Sequence, residues 1–592
     1  MTNKRRAVPG VHPYDGPAGG WGALKATAIA VRTQMDAFEA PATLLRTNQP
    51  DGFDCPGCAW PDKEHKSTFQ FCENGAKAVT WEATTKRVTP AFLAANTVSS
   101  LLAKSDFELE GYGRLTHPLV YDRDSDTLRP VAWEQAFARI GEILRGLQPD
   151  EVEFYTSGRA SNEAAWLFQL FAREYGTNNF PDCSNMCHES TSVGLPQSIG
   201  IGKGTVSLDD FDQTELVISI GHNPGTNHPR MMGTLHELSR RGVPIIVFNP
   251  LRERALERFA DPQNVMEMAT RRSTPIASTY YQVRAGGDAA ALKGIAKALL
   301  QLEEEQGNVL DHAFIAQHTQ GFTAFADDLH ATRWQDIEQE SGLTRESLTQ
   351  VAAAYAKSRA TIVTYGMGIT QHNKGTSNVR LIADLLLMRG NIGKPGAGIC
   401  PLRGHSNVQG NRTVGISEKP SAAFLDSLQR VMGITPPRHH GHDAVKALEA
   451  MIAGDAKALI CLGGNFAVAM PDHERAFPAM RGLELSVHVG TKLNRSHLLT
   501  AKETFILPCL GRTELDLQAS GRSRSPSRIR CRWCMLRRAS LSPPRRCCAR
   551  SACRRSGEGH LARQQSGLAV PRGRLRSHSR SDRTDHSRVR EL

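Results

Sequence analysis

Apolar and polar residues follow two rhythms along this chain, and the rhythms take turns. Runs rich in β-branched and aromatic residues occur at Glu151–Tyr155, Leu216–Ile220, Ile245–Phe248, Thr361–Tyr365 and Ala458–Leu462, separated by longer amphipathic stretches. After the first run, Ala165, Phe168, Ala172 and Tyr175 recur at helical spacing; Ser161 can cap that helix and Gly176 can end it. Another helix is expected over Gly22–Phe38, after an opening rich in Gly, Pro and Ala in which His12–Pro17 reads as turns. Short β-rich runs alternating with helices predict an α/β protein built on parallel sheets. No internal repeat is visible.

The rhythm stops at Gly521. The last 72 residues hold 20 Arg, no Lys and four acids, so they carry +16 of a chain whose net charge is +12, and the part before them is acidic by four charges. Such a segment cannot bury enough apolar area to offset its ordering entropy, which predicts disorder. A basic arm for nucleic acid normally mixes Lys with Arg. Arg, Pro, Ser, Cys and Trp without Lys are what a GC-rich gene yields out of frame. With permitted codons, Arg522–Arg538 can be re-read from the third base as Q-S-V-T-V-E-D-S-M-S-M-V-H-A-S-P, which alternates like a strand and continues Asp516–Gly521 smoothly. The expectation is a frameshift near residue 522; a single unambiguous frame on resequencing, with the tail present in the protein's mass, overturns it.

At 592 residues the chain is long enough for several domains. No apolar run reaches the ~18 residues needed to cross a bilayer, and the basic start Met1–Arg6 lacks a following apolar segment. A cytoplasmic protein is expected. Of 13 Cys, five fall in the tail; the other eight, scattered over a large chain, point to metal binding or redox chemistry rather than a disulfide frame.

The predicted strands run into loops of small and amide residues: Gly221-His222-Asn223, Asn249-Pro250, Gly366-Met367-Gly368 through Gln371, and Gly463-Gly464-Asn465. In open parallel sheets ligands sit beyond the strands' carboxyl ends, where Gly lets backbone N–H groups approach phosphates and Asn or Gln reads polar ring edges. One such loop is an ordinary turn; several in one chain point to a large dinucleotide-like cofactor spread over more than one sheet. None is the G-x-G-x-x-G of a nicotinamide site, which disfavours a plain NAD dehydrogenase.

Cys55-Pro56-Gly57-Cys58 is a C-x-x-C in a turn, with Cys72 further on. Thiolates two residues apart on a turn can face one metal, so iron–sulfur, zinc and redox dithiol are all open. Pro61 and Asp62, where a thioredoxin-type site would continue as a helix, disfavour the dithiol. Cys187 with His188 beside it pairs a soft metal ligand with a proton-transfer group.

Gly113–Leu119 followed by Val131–Ala136 resembles the entry segment of the molybdopterin oxidoreductases. Gly176–Asn179, Gly221–Pro224 with His228-Pro229, Gly366–Gln371, Gly390–Gly398 and Arg403–Gly410 resemble the formate dehydrogenase alpha-subunit branch, in order, from about Cys55 to Gly521. The resemblance implies molybdenum held by two molybdopterin guanine dinucleotides and an N-terminal [4Fe–4S] cluster. It places Cys187 as the metal ligand, His188 as the adjacent catalytic histidine and Arg380 as the substrate-binding arginine, whose planar fork suits a carboxylate. Cys55, Cys58 and Cys72 become cluster ligands; Gly221, Asn223, Asn249, Gly366, Met367, Gly368, Gln371, Gly463 and Asn465 become cofactor-binding residues.

The implied domains are an N-terminal extension (1–50), an iron–sulfur domain (51–115), one α/β cofactor domain (116–182 with 381–520), a second inserted into it (183–380) and the tail (521–592). The implied activity is two-electron oxidation of formate or a similar small molecule, with electrons leaving singly through the cluster to an unknown acceptor, and no nucleic acid or membrane span.

Three features depart from the family's pattern. Cys72 lies far behind the C-x-x-C, and a fourth cluster cysteine is missing. Glu189-Ser190 stands where a small residue and Pro are usual; a carboxylate ~4 Å from an anionic substrate costs on the order of 1–4 kcal/mol at effective dielectrics of about 80 to 20, which leaves the substrate open. The domain that clasps both dinucleotides should begin near Gly521, where the Arg-rich segment stands instead, exposing apolar surface. The rival readings are a non-catalytic remnant binding partners or nucleic acid through its tail, and a zinc protein.

Overall fold

The computed structural model describes residues 14–36, 38–50, 52–62, 68–518 and 521–524. The Arg-rich segment after residue 524, with the reading-frame argument built on it, lies outside the described residues. Residues 521–524 are a strand, antiparallel to Leu515–Gln518.

Two sheets organise the chain. In chain order the strands are β1 (Leu119–Asp122), β2 (Thr127–Pro130), β3 (Val152–Thr156), β4 (Leu216–Ile220), β5 (Ile245–Phe248), β6 (Thr279–Tyr281), β7 (Thr361–Tyr365), β8 (Gly398–Pro401), β9 (Ala458–Leu462), β10 (Leu485–Gly490) and β11 (Glu503–Pro508). The first sheet runs β2-β1-β11-β10-β9-β3, parallel from β11 to β3 and closed at the other edge by the antiparallel β1 and β2. The second runs β6-β5-β4-β7-β8 and is parallel throughout. Strands β3, β4, β5 and β7 are buried along their whole length, as strands covered on both faces must be.

Most of the expected strands appear where the pattern put them; the first begins one residue later, at Val152. Missing from that expectation are β1, β2, β6, β8, β10 and β11. Because β8 belongs to the second sheet, the chain returns to the first sheet after Pro401, not after residue 380.

Helices cover both sheets. Helix α1 (Glu73–Glu82) follows the cysteine-bearing segment, with Cys72 as its cap. Helix α2 (Trp133–Arg145) turns Ala136, Ile140 and Leu144 onto the first sheet, where each large apolar side chain contributes about 1.5–3 kcal/mol on burial. Helix α3 (Asn162–Tyr175) is capped by Ser161 and ended by left-handed Gly176, as its sequence predicts. It also buries Gln169 and Arg173. The Arg173 guanidinium donates to Asn178, to the Gly415 and Ser417 carbonyls and to Gln169, and lies over the Phe180 ring. The opening helix spans Gly20–Gln34 rather than 22–38. Among the described residues no helix is long and apolar enough to cross a membrane.

Candidate active site

The strand order of the second sheet reverses between β4 and β7. From β4 the chain moves outward to β5 and β6, then β7 returns to the other side of β4 and β8 extends the sheet that way. Loops leaving adjacent strands diverge at such a point and open a crevice beyond their carboxyl ends. Here those loops are Gly221–Asn223 and Gly366–Gly368, and they touch: a Cβ on Gly368 would stand 2.6 Å from the Gly221 carbonyl oxygen. Gly221 also has φ +57°, a conformation costly to a side chain. Two glycines are therefore required for one close backbone crossing, and the Gly368 N–H donates to the Gly221 carbonyl at 3.0 Å.

A short helix, α4 (Cys183–Cys187), joins this crevice to the first sheet. Asp182 caps it by accepting the Ser184 and Asn185 N–H groups. At its start the Cys183 thiol accepts the Gly158 N–H at 3.2 Å and meets the Tyr155 hydroxyl at 3.3 Å, at the carboxyl end of β3. At its end the Cys187 thiol donates to Met367 Sδ at 3.2 Å, in the loop after β7. Cys187 therefore stands at the meeting of both sheets. Burial pushes its thiol up, while the Gly404 N–H and the Arg403 guanidinium pull it down.

Arg403, in the loop after β8, is buried, and among the described residues its fork donates to the Gly202 carbonyl. Its carbonyl accepts from His228 Nε2 at 2.6 Å, so His228 Nδ1 is an acceptor and takes the proton of His222 Nε2 at 2.7 Å. That leaves His222 Nδ1 as a bare acceptor, buried and with no partner among the described residues. Arg403 Nε and Ser406 Oγ share that condition. Burial holds His222 well below the usual imidazole range and brings His228 down to about 4, so both rings are neutral.

The residues expected at the site divide into those that converge and those that do not. Cys187, Met367, Gly368, Gly366 and Gly221 converge. His188 lies beside them with both nitrogens committed: Nε2 donates to the Leu402 carbonyl at 2.9 Å, and Nδ1 meets Thr191 Oγ1, which meets the Tyr365 hydroxyl. Gln371 donates to the Met186 carbonyl and steadies α4. Asn249 clamps the His222 backbone through its N–H and its carbonyl. Asn223 caps the next turn, and Asn465 accepts from Ser496 beside Gly463 at the first sheet. Arg380 does not converge. It is exposed on α7 (Gly375–Leu387), where its charge acts on Asp384.

Glu189 begins α5 (Glu189–Ile199) and is held by Asn185 and Arg412. Arg412 also reaches Glu418 at 2.6 Å and Asp182 at 3.6 Å, so one guanidinium is shared by three carboxylates around α4 and offsets only part of their charge. Burial raises Asp182 to about 6 despite Arg412.

The other cysteines form a second centre. A Cβ on Gly75 would stand 3.2 Å from Cys55 Sγ and 3.5 Å from Cys72 Sγ, so both sulfurs converge on a backbone that only Gly keeps open. Cys55 Sγ accepts the Gly57 N–H and Cys72 Sγ the Gly75 N–H, each at 3.3 Å. Burial, then the charges of Cys55 and Cys58, push Cys72 up to about 12. Cys55 is buried and Cys58 and Cys72 are partly so, and among the described residues they do not close into a group of three that could hold a metal ion.

A family model described as Molybdopterin oxidoreductase matches residues 114–492, most of the folded chain. The chain belongs to the molybdopterin oxidoreductase family. It is 57% identical over 517 residues to Protein YdeP of Escherichia coli K12, covering 86% of this chain and 68% of that protein. It is 29% identical over 392 residues to the F420-dependent formate dehydrogenase 1 subunit alpha of Methanococcus maripaludis, covering 63% and 53%. Acetylene hydratase from Pelobacter acetylenicus shares the fold at a TM-score of 0.53 and 16% identity, over 72% of this chain and 60% of that one. Membership in the molybdopterin oxidoreductases implies a molybdenum–pterin cofactor. The buried, partnerless polar atoms of His222, Arg403 and Ser406, beside a thiol and a glycine crossing, are the surroundings such a polar group would satisfy.

The site reading left out Arg403, His222, His228 and Arg412. Arg403 follows a strand whose Gly and Pro hide it from pattern analysis. The histidines lie between the Gly221 turn and Pro229, where residue type alone does not mark which side chains face the crevice.

Proposed function

We propose that this chain is a formate-dehydrogenase-like molybdoenzyme alpha subunit, carrying out two-electron oxidation of a small substrate and passing electrons singly through an iron–sulfur cluster. Two molybdopterin guanine dinucleotides would lie beyond the two sheets, one against the Gly221–Asn223 and Gly366–Gly368 loops and one against Gly463–Asn465. Cys187 would ligate the metal. Cys55, Cys58 and Cys72 would hold the cluster. The single observation that carries the reading is α4, whose two ends meet the two sheets and which presents Cys187 between them.

When bound, the molybdenum–pterin group supplies the two-electron redox chemistry. The chain's own residues do the rest. Arg403, a buried cation acting on Cys187, favours the thiolate and draws a small anion to the same place. We assign the anion-binding role to Arg403 rather than to the exposed Arg380. The His222–His228 pair stays neutral and presents one acceptor nitrogen, His222 Nδ1, able to accept a hydrogen bond from a bound group inside the crevice. Glu189 pairs with Arg412, which it shares with Glu418 and Asp182, so the repulsion it would exert on an anionic substrate is reduced only in part and the substrate stays open between formate and another small molecule. His188, with both nitrogens engaged, positions the end of α4 against β8.

The test is metal and pterin analysis of the purified chain, with formate turnover measured with a viologen acceptor. Molybdenum or tungsten with guanine-bearing pterin is expected, and Cys187→Ala should abolish turnover while pterin stays bound. Protein without either metal, or a Cys187→Ala variant of unchanged activity, refutes the proposal.

A further inference from the structure

We infer that the opening helix, with the short helix beside it, is a docking surface for an anionic lipid membrane. The opening helix (Gly20–Gln34) turns Ala23, Ala30 and Gln34 inward. At 3.6 residues per turn, Trp21, Leu24, Lys25, Ala28, Ile29 and Arg32 fall within about 140° on the opposite side, and all six are exposed. That face carries three large apolar side chains and two cations, and the helix has no acidic residue. Trp21 Nε1 donates to the Met268 carbonyl at 3.0 Å, which fixes the helix Val265–Thr270 against its start. There Val265 and Met266 are 78% and 70% exposed, more than Trp21 at 61%. Arg271 and Arg272 follow, both exposed. The one acid of that short helix, Glu267, is taken up by His236 and by Thr274, each at 2.7 Å. Asp36 and Glu39 come only after the opening helix has ended, and the Asp36 carboxylate accepts the Phe38 N–H.

A protein partner and a lipid surface ask different things of such a face. Protein interfaces carry about one hydrogen bond per 100–200 Å², and so look for open donors and acceptors. An apolar phase requires closed ones, because an unsatisfied donor in it costs free energy. The exposed hydroxyl and indole donors of these two helices are closed onto carbonyls of the same two helices. The indole N–H has the Met268 carbonyl, the Thr33 hydroxyl has those of Ile29 and Ala30, and the Thr270 hydroxyl has that of Met266. Trp21 can therefore enter the headgroup layer with its ring and leave nothing unpaired. Lys25, Arg32, Arg271 and Arg272 have stems long enough to keep their charges at the lipid phosphates while the apolar side chains go deeper. Protruding apolar groups, closed donors and a surplus of cations describe a helix lying in the plane of an anionic bilayer surface.

The Arg-rich end of the chain, at +16, attracts anionic vesicles by charge alone, so the readout has to be local. The full chain is mixed with vesicles of equal parts phosphatidylglycerol and acyl-brominated phosphatidylcholine, and quenching of Trp21 is taken as the difference between wild type and Trp21→Phe. Quenching is expected, with about tenfold more lipid needed for the half-maximal effect when brominated phosphatidylcholine is the only lipid. Lys25→Gln with Arg32→Gln should raise the lipid needed about tenfold or more, at about fivefold per cation. Leu24→Gln with Ile29→Gln should raise it comparably while leaving the urea midpoint in place, since both side chains are exposed. Trp21 left unquenched, whether or not the protein goes down with the vesicles, overturns the inference; co-sedimentation without quenching assigns the binding to the Arg-rich end. Equal quenching on the neutral vesicles overturns it, as does either pair of substitutions matching wild type. A wild-type dimer that Leu24→Gln with Ile29→Gln turns into monomer, with no quenching, overturns it by giving the face to a second copy of the chain.

Discussion

Adding one methyl group at Gly368 tests whether the two loops of the second sheet must cross as closely as they do. The new Cβ would lie 2.6 Å from the Gly221 carbonyl oxygen, 2.9 Å from its Cα and 3.0 Å from its carbonyl carbon. Carbon atoms reach their best separation at about 3.5–4.0 Å, so one loop must retreat by roughly 0.5–1 Å. Both neighbours are backbone, which has no rotamer to yield. Overpacking of this kind costs about 1–3 kcal/mol, and loss of the Gly368 N–H to Gly221 carbonyl bond adds about 0.5–1.5 kcal/mol. Gly368→Ala should therefore cost about 2–4 kcal/mol, which is roughly 30- to 1000-fold if it falls on cofactor affinity. The assay is molybdenum content beside urea unfolding of the same samples. Gly233→Ala is the control: Gly233 lies inside α6 (Pro229–Arg240), an added Cβ meets nothing within 4 Å, and helix propensity should make it more stable by about 0.5–1 kcal/mol. Full metal content and an unchanged unfolding midpoint in Gly368→Ala refute the crossing argument; so does a Gly233→Ala variant as damaged as Gly368→Ala.

Acid should unfold this protein early. His188, His222, His228, His488 and His497 are all lowered by burial, His228 and His488 to about 4, so the unfolded chain binds protons below about pH 6.5 that the fold refuses. Stability then falls as pH drops from 6.5 toward 4, by up to about 1.4 kcal/mol per pH unit per histidine. Asp182 and Asp384 oppose, with Glu153 and Asp288 also raised by burial: at about 6, the first two favour the fold at low pH and lose that contribution as pH rises through 6. Urea midpoints between pH 7 and 5 should show more than two protons taken up on unfolding, and fewer than one contradicts the burial of these rings. Arg412→Met should cost about 3–5 kcal/mol, because it strands the carboxylates of Asp182, Glu189 and Glu418. Its deficit relative to wild type should shrink at pH 5, where Asp182 is protonated; a deficit independent of pH places the damage elsewhere.

How far the sequence could be read depended on whether apolar side chains or backbone geometry carried the information. β5 and β9 are continuous apolar runs, and β4 and β7 are interrupted only by Ser219, Thr361 and Thr364, because strands buried on both faces are nearly so. β8 is Gly398-Ile399-Cys400-Pro401: too short and too poor in β-branched residues to register, and with it went the point where the chain returns to the first sheet. α3 shows the same limit from the other side. Its caps were legible, but the burial of Arg173 was not, because the partners that satisfy it are carbonyls about 240 residues away. At the site, glycines and Cys187 could be picked out by residue type. Asn223, Asn249 and Asn465 could be picked out too, but their side chains hold their own loops, a role that depends on contacts no local pattern encodes.

The segment from Gly221 to Arg230 shows why both centres belong to one argument. Its first residues form the crossing with Gly368; His222 and His228 bind each other, and His228 binds the Arg403 carbonyl; Arg230, two residues on, holds the Pro61 carbonyl and Asp62 in the cysteine-bearing segment. Pro224 and Pro229 stand at the starts of its two helical turns, where a missing N–H costs nothing and φ is already set. A stretch built this way has little freedom to move one end without the other, so a change at the cysteine centre reaches the loop that holds Arg403 beside Cys187. Arg230→Met should accordingly change the reactivity of the Cys187 thiol toward a neutral alkylating reagent, measured on metal-free protein. Equal alkylation rates in wild type and variant would show that the two ends of the segment act independently.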